Sequence, residues 1–350
     1  MKKMIIIVLS VILLLSACSK ANDPYNPQDE SILQKVQTYN ITGQPVDIDI
    51  SDDYIFIAED LLGFSIFNRS MATQIIRIDE LPTAGQLRKS IITKFNQEHK
   101  VLFVFDRTKS DVHSLHSLNF ETPTSDLSDY DINENLEISN SPQYIRSIEF
   151  DENTDTNLFN IYIAGFSADN ILLQGTYNHN DSNLQLVVTN RTIVPNAINK
   201  IVLTDTHIIT AMGQRGVYII DKFDINNHIS QVDTPGDAQS IVVKDNIVYV
   251  ADLHQGLQLV DITDITNPVL LDNSYNMSGE AVSIDIHNNH LAVASNTGGL
   301  YIYDISDILS PKLLERKLMS EIGYLYKVQF YQDDLYVASR DKGVIRYSFK

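Results

Sequence analysis

The sequence predicts an all-β chain closed into a ring of four-stranded sheets, and three observations carry that expectation. A unit of 42 to 44 residues recurs, as the spacings Gly43 to Gly85, Gly236 to Gly279 and Gly279 to Gly323 show. Within each unit the apolar residues alternate or run in short blocks. No stretch keeps a 3.6-residue period for more than two turns. The final unit stops one strand short, and the first segment of the body carries a sequence that can complete it.

The units align residue by residue. Ile247–Asp264 (IVYVADLHQGLQLVDITD) lies over His290–Asp307 (HLAVASNTGGLYIYDISD), which places Gly256 over Gly299. His207–Asp221 places Gly216 there, Tyr54–Asn68 places Gly63, and Leu335–Tyr347 places Gly343. Looser copies, without the turn glycine, lie near Val101–Leu118 and Leu158–Tyr177, which brings the count from Gly63 to Gly343 to seven. In the clearest copy Glu280–His287 alternates as a half-buried strand does. Asn288 and Asn289 supply a tight turn, and Leu291–Ala294 forms a second strand. Gly299 relieves the turn into Leu300–Tyr303, a loop follows to Pro311, and Lys312–Leu318 makes a polar fourth strand. Four strands at this period describe the blade of a β-propeller. The recurring glycines before the third strand imply positive φ or a close backbone approach.

The last copy ends at Lys350, at the close of its third strand. Ile32–Asn40 (ILQKVQTYN) matches Val269–Asn276 (VLLDNSYN), the outer strand of another unit. Residues 31–41 are therefore expected to form the outer strand of the seventh blade, removing two exposed edges. The propeller would span 31–350. Alanines near the end of the second strand (Ala58, Ala164, Ala251, Ala294, Ala338) suggest a tightly packed, inert centre.

The segment ahead of the body gives an address. Met1-Lys2-Lys3-Met4 precedes an apolar run from Ile5 to Leu15, the pattern of a secretory signal and too short to span a bilayer. It ends in Leu15-Ser16-Ala17-Cys18, which resembles the bacterial lipobox. By that resemblance residues 1–17 are a signal peptide, and Cys18, the only cysteine, takes the lipid. Residues 18–30 are then a lipidated polar tether, and several acyl chains on one cysteine make a stable membrane anchor. Ser19 after the cysteine resembles outer-membrane sorting if the cell has two membranes; otherwise the cell membrane is expected. The protein would be extracytoplasmic, in the cell envelope. A formal charge of −19 argues against nucleic acid as a partner, and 43% hydrophobic residues suffice for a buried core.

The units Leu257–Asp264 (LQLVDITD) and Leu300–Asp307 (LYIYDISD) resemble the LVIVD repeat, a bacterial and archaeal surface β-propeller motif. The resemblance is strong across 206–349, clear at 46–68 and loose at 88–190. It implies architecture and an envelope location, and it lends no catalytic residue.

Candidate chemistry is sparse. His113 and His116 are three apart on one expected strand, so they face opposite sides and cannot share a metal. His287 and His290 flank a turn, but no third ligand accompanies them. Asp151, Asn153, Asp155 and Asn157 alternate as in a calcium loop, yet Thr156 replaces the turn glycine and Tyr162 the closing glutamate. The pairs Asp261/Asp264 and Asp304/Asp307 recur between blades, which suits turns rather than paired-carboxylate catalysis. No nucleophile elbow, Walker loop, dinucleotide glycine cluster or zincin motif is present. No catalytic, cofactor-binding or metal-binding residue is assigned, and no cofactor is implied. The expectation is a binding or scaffolding lipoprotein that meets the membrane through its anchor and a protein or glycan in the envelope. The alternative is a propeller hydrolase or lyase working over the central channel.

Overall fold

The computed structural model describes residues 31–60, 62–78, 88–108, 113–119, 132–133, 144–151, 158–166, 168–178, 186–272 and 275–350. The expected signal peptide (1–17), Cys18 and the rest of the tether lie outside the described residues, as do Gly85 and 152–157.

The described residues form four-stranded antiparallel sheets, six of them built from consecutive strands. The first is β2 (Asp47–Ile50), β3 (Tyr54–Ala58), β4 (Phe64–Asn68) and β5 (Gln74–Ile78). The second is β6 (Arg88–Asn96), β7 (Val101–Thr108), β8 (His113–Asn119) and β9 (Ile132–Asn133). The third is β10 (Tyr144–Asp151), β11 (Leu158–Phe166), β12 (Asn170–Asn178) and β13 (Leu186–Ile193). The fourth is β14 (Lys200–Leu203), β15 (His207–Ala211), β16 (Val217–Asp221) and β17 (His228–Val232). The fifth is β18 (Ser240–Lys244), β19 (Ile247–Ala251), β20 (Leu257–Asp261) and β21 (Val269–Leu270). The sixth is β22 (Ala281–His287), β23 (His290–Ser295), β24 (Gly299–Asp304) and β25 (Lys312–Lys317).

The remaining sheet is composite and closes the ring. It joins β26 (Leu325–Tyr331), β27 (Asp334–Ser339) and β28 (Gly343–Phe349) to β1 (Leu33–Tyr39), in the order β1-β28-β27-β26. Leu33 pairs with Phe349 and Tyr39 with Val344, so the N-terminal segment supplies the missing outer strand. One helical turn, α1 (Met319–Ile322), connects β25 to β26. The first strand of each sheet neighbours the first strand of the next, in the cycle β2-β6-β10-β14-β18-β22-β26 and back to β2. The molecule is a β-propeller.

The core lies between blades, because each sheet is apolar on both faces. Tyr249, Ala251 and Leu259 of the fifth blade pack on Leu291, Val293 and Ile284 of the sixth. Ala294, Leu300 and Ile302 of the sixth meet Val328, Leu335 and Val337 of the seventh. Tyr39 joins the layer between seventh and first blades, edge-on to Phe67 at 5.9 Å. The turn glycines behave as expected: Gly216, Gly256, Gly299 and Gly343 have φ of 68°, 69°, 96° and 76°. Asn288, in the turn before β23, takes φ 54°.

Candidate functional site

The inner strands are the free edges of their sheets, and an uncovered edge has backbone donors to satisfy. Here the neighbouring blade satisfies them with side chains. Thr93 N–H donates to Asp47 Oδ2 at 3.0 Å and Phe95 N–H to Asp49 Oδ2 at 2.7 Å. Ile201 N–H donates to Ser147 Oγ at 3.0 Å, Val328 N–H to Ser283 Oγ at 3.2 Å and Phe330 N–H to Asp285 Oδ2 at 2.6 Å. These bonds tie blade to blade around the axis.

Strand register sorts the residues around the axis into levels. Asp47, Ser147, Lys200, Ser240, Ser283 and Lys327 each pair with an alanine of the second strand: Ala58, Ala164, Ala211, Ala251, Ala294 and Ala338. The expectation that these alanines make an inert centre is therefore corrected. They are buried one strand out, where a small side chain leaves room for blade packing, and polar inner-strand residues line the axis instead. Two residues further along stand Asp49, Lys94, Glu149, Asp285 and Gln329, at the same level by register. Together these strands surround a cavity of about 550 Å³, within the roughly 300–1,000 Å³ typical of small-molecule sites.

Most charges in the channel are paired. Glu149 sits between Lys200 at 2.6 Å and Lys94 at 2.9 Å. Lys327 Nζ reaches Asp47 Oδ1 at 2.6 Å and donates to the Ile48 carbonyl at 2.7 Å. Burial alone would raise the pKa of Glu149, but the two ammoniums override it and bring the pKa down to about 2. Lys94, also penalised by burial, is held above the usual lysine range by Glu149 and by Asp49.

That asymmetry sets a pH dependence. Glu149 has a folded pKa below its unfolded value of 4.5, so its stabilisation is complete above that pH and drains as pH falls towards about 2. Glu149→Gln should be less stable than the parent at pH 7, by about 2 kcal/mol or more. Denaturant melts across pH 7 to 2.5 should show the gap closing in acid. A gap independent of pH would contradict this charge pairing.

The other candidate residues fall into structural roles. Asp261 and Asp304 accept the N–H groups of Thr263 and Ser306, each at 2.8 Å, and Asp264 and Asp307 likewise accept the N–H groups two residues on. The Ser306 hydroxyl and N–H hold Asp304 below the usual carboxylate range, as those of Thr263 do for Asp261. They are turn-forming carboxylates, as their recurrence suggested. His287 and His290 are direct cross-strand partners. His287 Nε2 lies 3.1 Å from Asp333, and His290 stacks on Phe349 at 4.2 Å. His113 and His116 fall on β8 opposite Arg107 and Val104. Asp151 accepts from Lys222 Nζ at 2.8 Å. Among the described residues no three His, Cys, Asp or Glu side chains gather closely enough to hold a metal. The polar lining of the channel was missed from sequence, although the second-strand alanines mark its register.

Two stretches, 235–276 and 278–317, match the family model of the LVIVD repeat. No curated protein matches the chain. Among solved structures it is similar to Raptor of Chaetomium thermophilum (TM-score 0.65, 12% identity), over 91% of this chain but only 30% of that one. It is equally similar to the RRP9 WD40 repeats (TM-score 0.65, 12% identity), covering 91% of this chain and 97% of that one. The WD40 propeller domain of Doa1 gives TM-score 0.62 at 11% identity, with coverage of 91% and 97%. At such identities the likeness is one of fold. The two matched stretches coincide with the fifth and sixth blades, so the chain is a β-propeller that carries LVIVD repeats.

Proposed function

We propose that this chain is a binding or scaffolding propeller of the cell envelope, held on a membrane by lipid at Cys18 and engaging a protein or glycan partner there. The observation that supports binding is the polar channel, where Glu149 holds Lys94 and Lys200 and Asp47 holds Lys327 in fixed positions around the axis. A ring closed by its own first strand, with blades tied through side-chain to backbone bonds, is a rigid platform. The anchor rests on the sequence Leu15-Ser16-Ala17-Cys18 after an apolar run.

One experiment addresses the anchor. The full-length chain, expressed in a bacterium fed an alkyne-palmitate, should take up label and sediment with membranes. Cys18→Ser should take up none, because it lacks the thiol that the lipid joins, and should persist as an uncleaved precursor that still carries residues 1–17. Equal labelling of both would end the lipoprotein reading. Affinity capture of the labelled chain from detergent-solubilised membranes should then recover a stoichiometric protein or glycan.

A further inference from the structure

We propose that the central channel binds a small zwitterion, an amino acid or short peptide, with its ammonium at Asp285 and Gln329 and its carboxylate at Arg146. The starting point is a charge that the fold does not need. Asp285 accepts Phe330 N–H at Oδ2 and Ile286 N–H at Oδ1, and it makes no ion pair among the described residues. Ser283, two residues earlier on the same strand, ties the sixth blade to the seventh with a neutral hydroxyl. A neutral acceptor therefore suffices for the tie. Burial also raises the pKa of Asp285, a standing cost that a bound cation would relieve.

A further acceptor lies on the adjacent blade. Gln329, on the next blade, gives its amide N–H to Asp49 Oδ1 at 2.8 Å, while its buried Oε1 has no partner among the described residues. A buried acceptor left unpaired is costly. An ammonium, with three hydrogen bonds to donate, suits the Asp285 carboxylate and the Gln329 carbonyl oxygen together.

The opposite side carries the complementary sign. In the cycle of inner strands, the sixth and seventh blades face the third across the axis. There Glu149 is shared by Lys94 and Lys200, one carboxylate against two ammoniums. Arg146, beside them on the third blade, gives one N–H to Asn199 Oδ1 at 3.0 Å and pairs with no carboxylate among the described residues. Its guanidinium fork matches a carboxylate. With Lys327 and Asp47 cancelling one another, the surplus is negative at Asp285 and Asp49 and positive at Arg146 and the lysine pair. The sum is zero within a chain of net −19. A neutral but polarised cavity selects a ligand that is itself neutral and polarised.

The test uses glycylglycine as the zwitterion, titrated calorimetrically into the full-length chain in detergent. Its N-acetyl form, lacking the ammonium, and its amide, lacking the carboxylate, are the controls. Glycylglycine should bind saturably, and each capped form should bind about tenfold or more weakly. Asp285→Asn keeps an oxygen for Phe330 N–H and gives up only the bond from Ile286 N–H, so it should still melt cooperatively while losing about tenfold or more of glycylglycine affinity. Arg146→Gln, at an exposed position, should weaken glycylglycine but not its amide. Absence of saturable binding up to about 10 mM, equal binding of either capped form, or unchanged affinity in Asp285→Asn would each overturn the proposal. The proposal does not depend on the anchor: loss of palmitate labelling would leave it standing.

Discussion

A chain that begins after residue 40 should melt far below one that begins at Ser31. The shorter deletion removes only the polar tether and what precedes it. The longer one takes β1, and with it Leu33 and Tyr39, which are 4% and 0% exposed. Burial of such side chains is worth roughly 1.5–3 kcal/mol each. It also takes the partners of Glu315, itself 2% exposed. That carboxylate accepts the Ser31 hydroxyl at 2.6 Å and the N–H groups of Ile32 and Leu33 at 2.8 and 3.1 Å. Among the described residues only Lys317 would remain to it, at 2.6 Å. A buried carboxylate stripped of most donors adds several kcal/mol more, and the total reaches about 5 kcal/mol or above. Against a typical stability of about 5–15 kcal/mol, the truncated ring would stand near its unfolding midpoint. The bared edge of β28 should also recruit other chains, so light scattering should rise along with the loss of cooperative melting. Equal melting temperatures for the two deletions would mean that β1 does not hold the ring shut.

The closure was legible because the repeat is written at both ends of the chain. Aligning ILQKVQTYN with VLLDNSYN puts Tyr39 over Tyr275, and the structure gives both the same task. The Tyr39 carbonyl lies against Gly343 as the Tyr275 carbonyl lies against Gly256, each 2.3 Å from where a Cβ would sit. The turn carboxylates were legible for a similar reason: Asp bonding its own backbone is a local event, and the same residue type recurs where the same turn recurs. The lining of the channel was not. Equivalent inner-strand positions hold Asp47, Ser147, Lys200, Ser240, Ser283 and Lys327, so no residue type repeats round the ring strictly enough to stand out. Irregular blade lengths add to this, since the blade-to-blade bonds span 45 residues at Asp285 but 54 at Ser147. A register shift inside β10, β22 and β26 moves the lining out of simple alternation as well. What converges on the axis is set by ring closure, a property of the whole chain rather than of any window of it.

Gly256→Val should destabilise the propeller by about 2 kcal/mol or more without any ligand being involved. Gly256 has φ 69°, in the left-handed region, where a β-branched side chain is strained most. Its amide is held as well: Gly256 N–H donates to the Leu253 carbonyl at 3.2 Å, and its carbonyl accepts Asp252 N–H at 2.8 Å. The backbone therefore cannot rotate to an ordinary β conformation without breaking the turn between β19 and β20. An added Cβ would lie 2.3 Å from the Tyr275 carbonyl oxygen and 3.1 Å from Met277 N. Both atoms belong to the outer segment, which pairs through Tyr275 N–H to the Leu257 carbonyl at 3.1 Å, so relief would require that edge to move away. The same geometry at Gly343 would press on the Tyr39 carbonyl and loosen the closing strand, which makes Gly343→Val the more damaging of the two. Gln255→Val is the control: it puts the same β-branched side chain in the same turn, at an exposed residue whose φ is not positive. In thermal melts the glycine variants should fall several degrees below that control, and Gly256→Val should do so equally with and without glycylglycine. If Gly256→Val melts with the parent while altering only the binding of a partner, the glycine serves a ligand and not the fold.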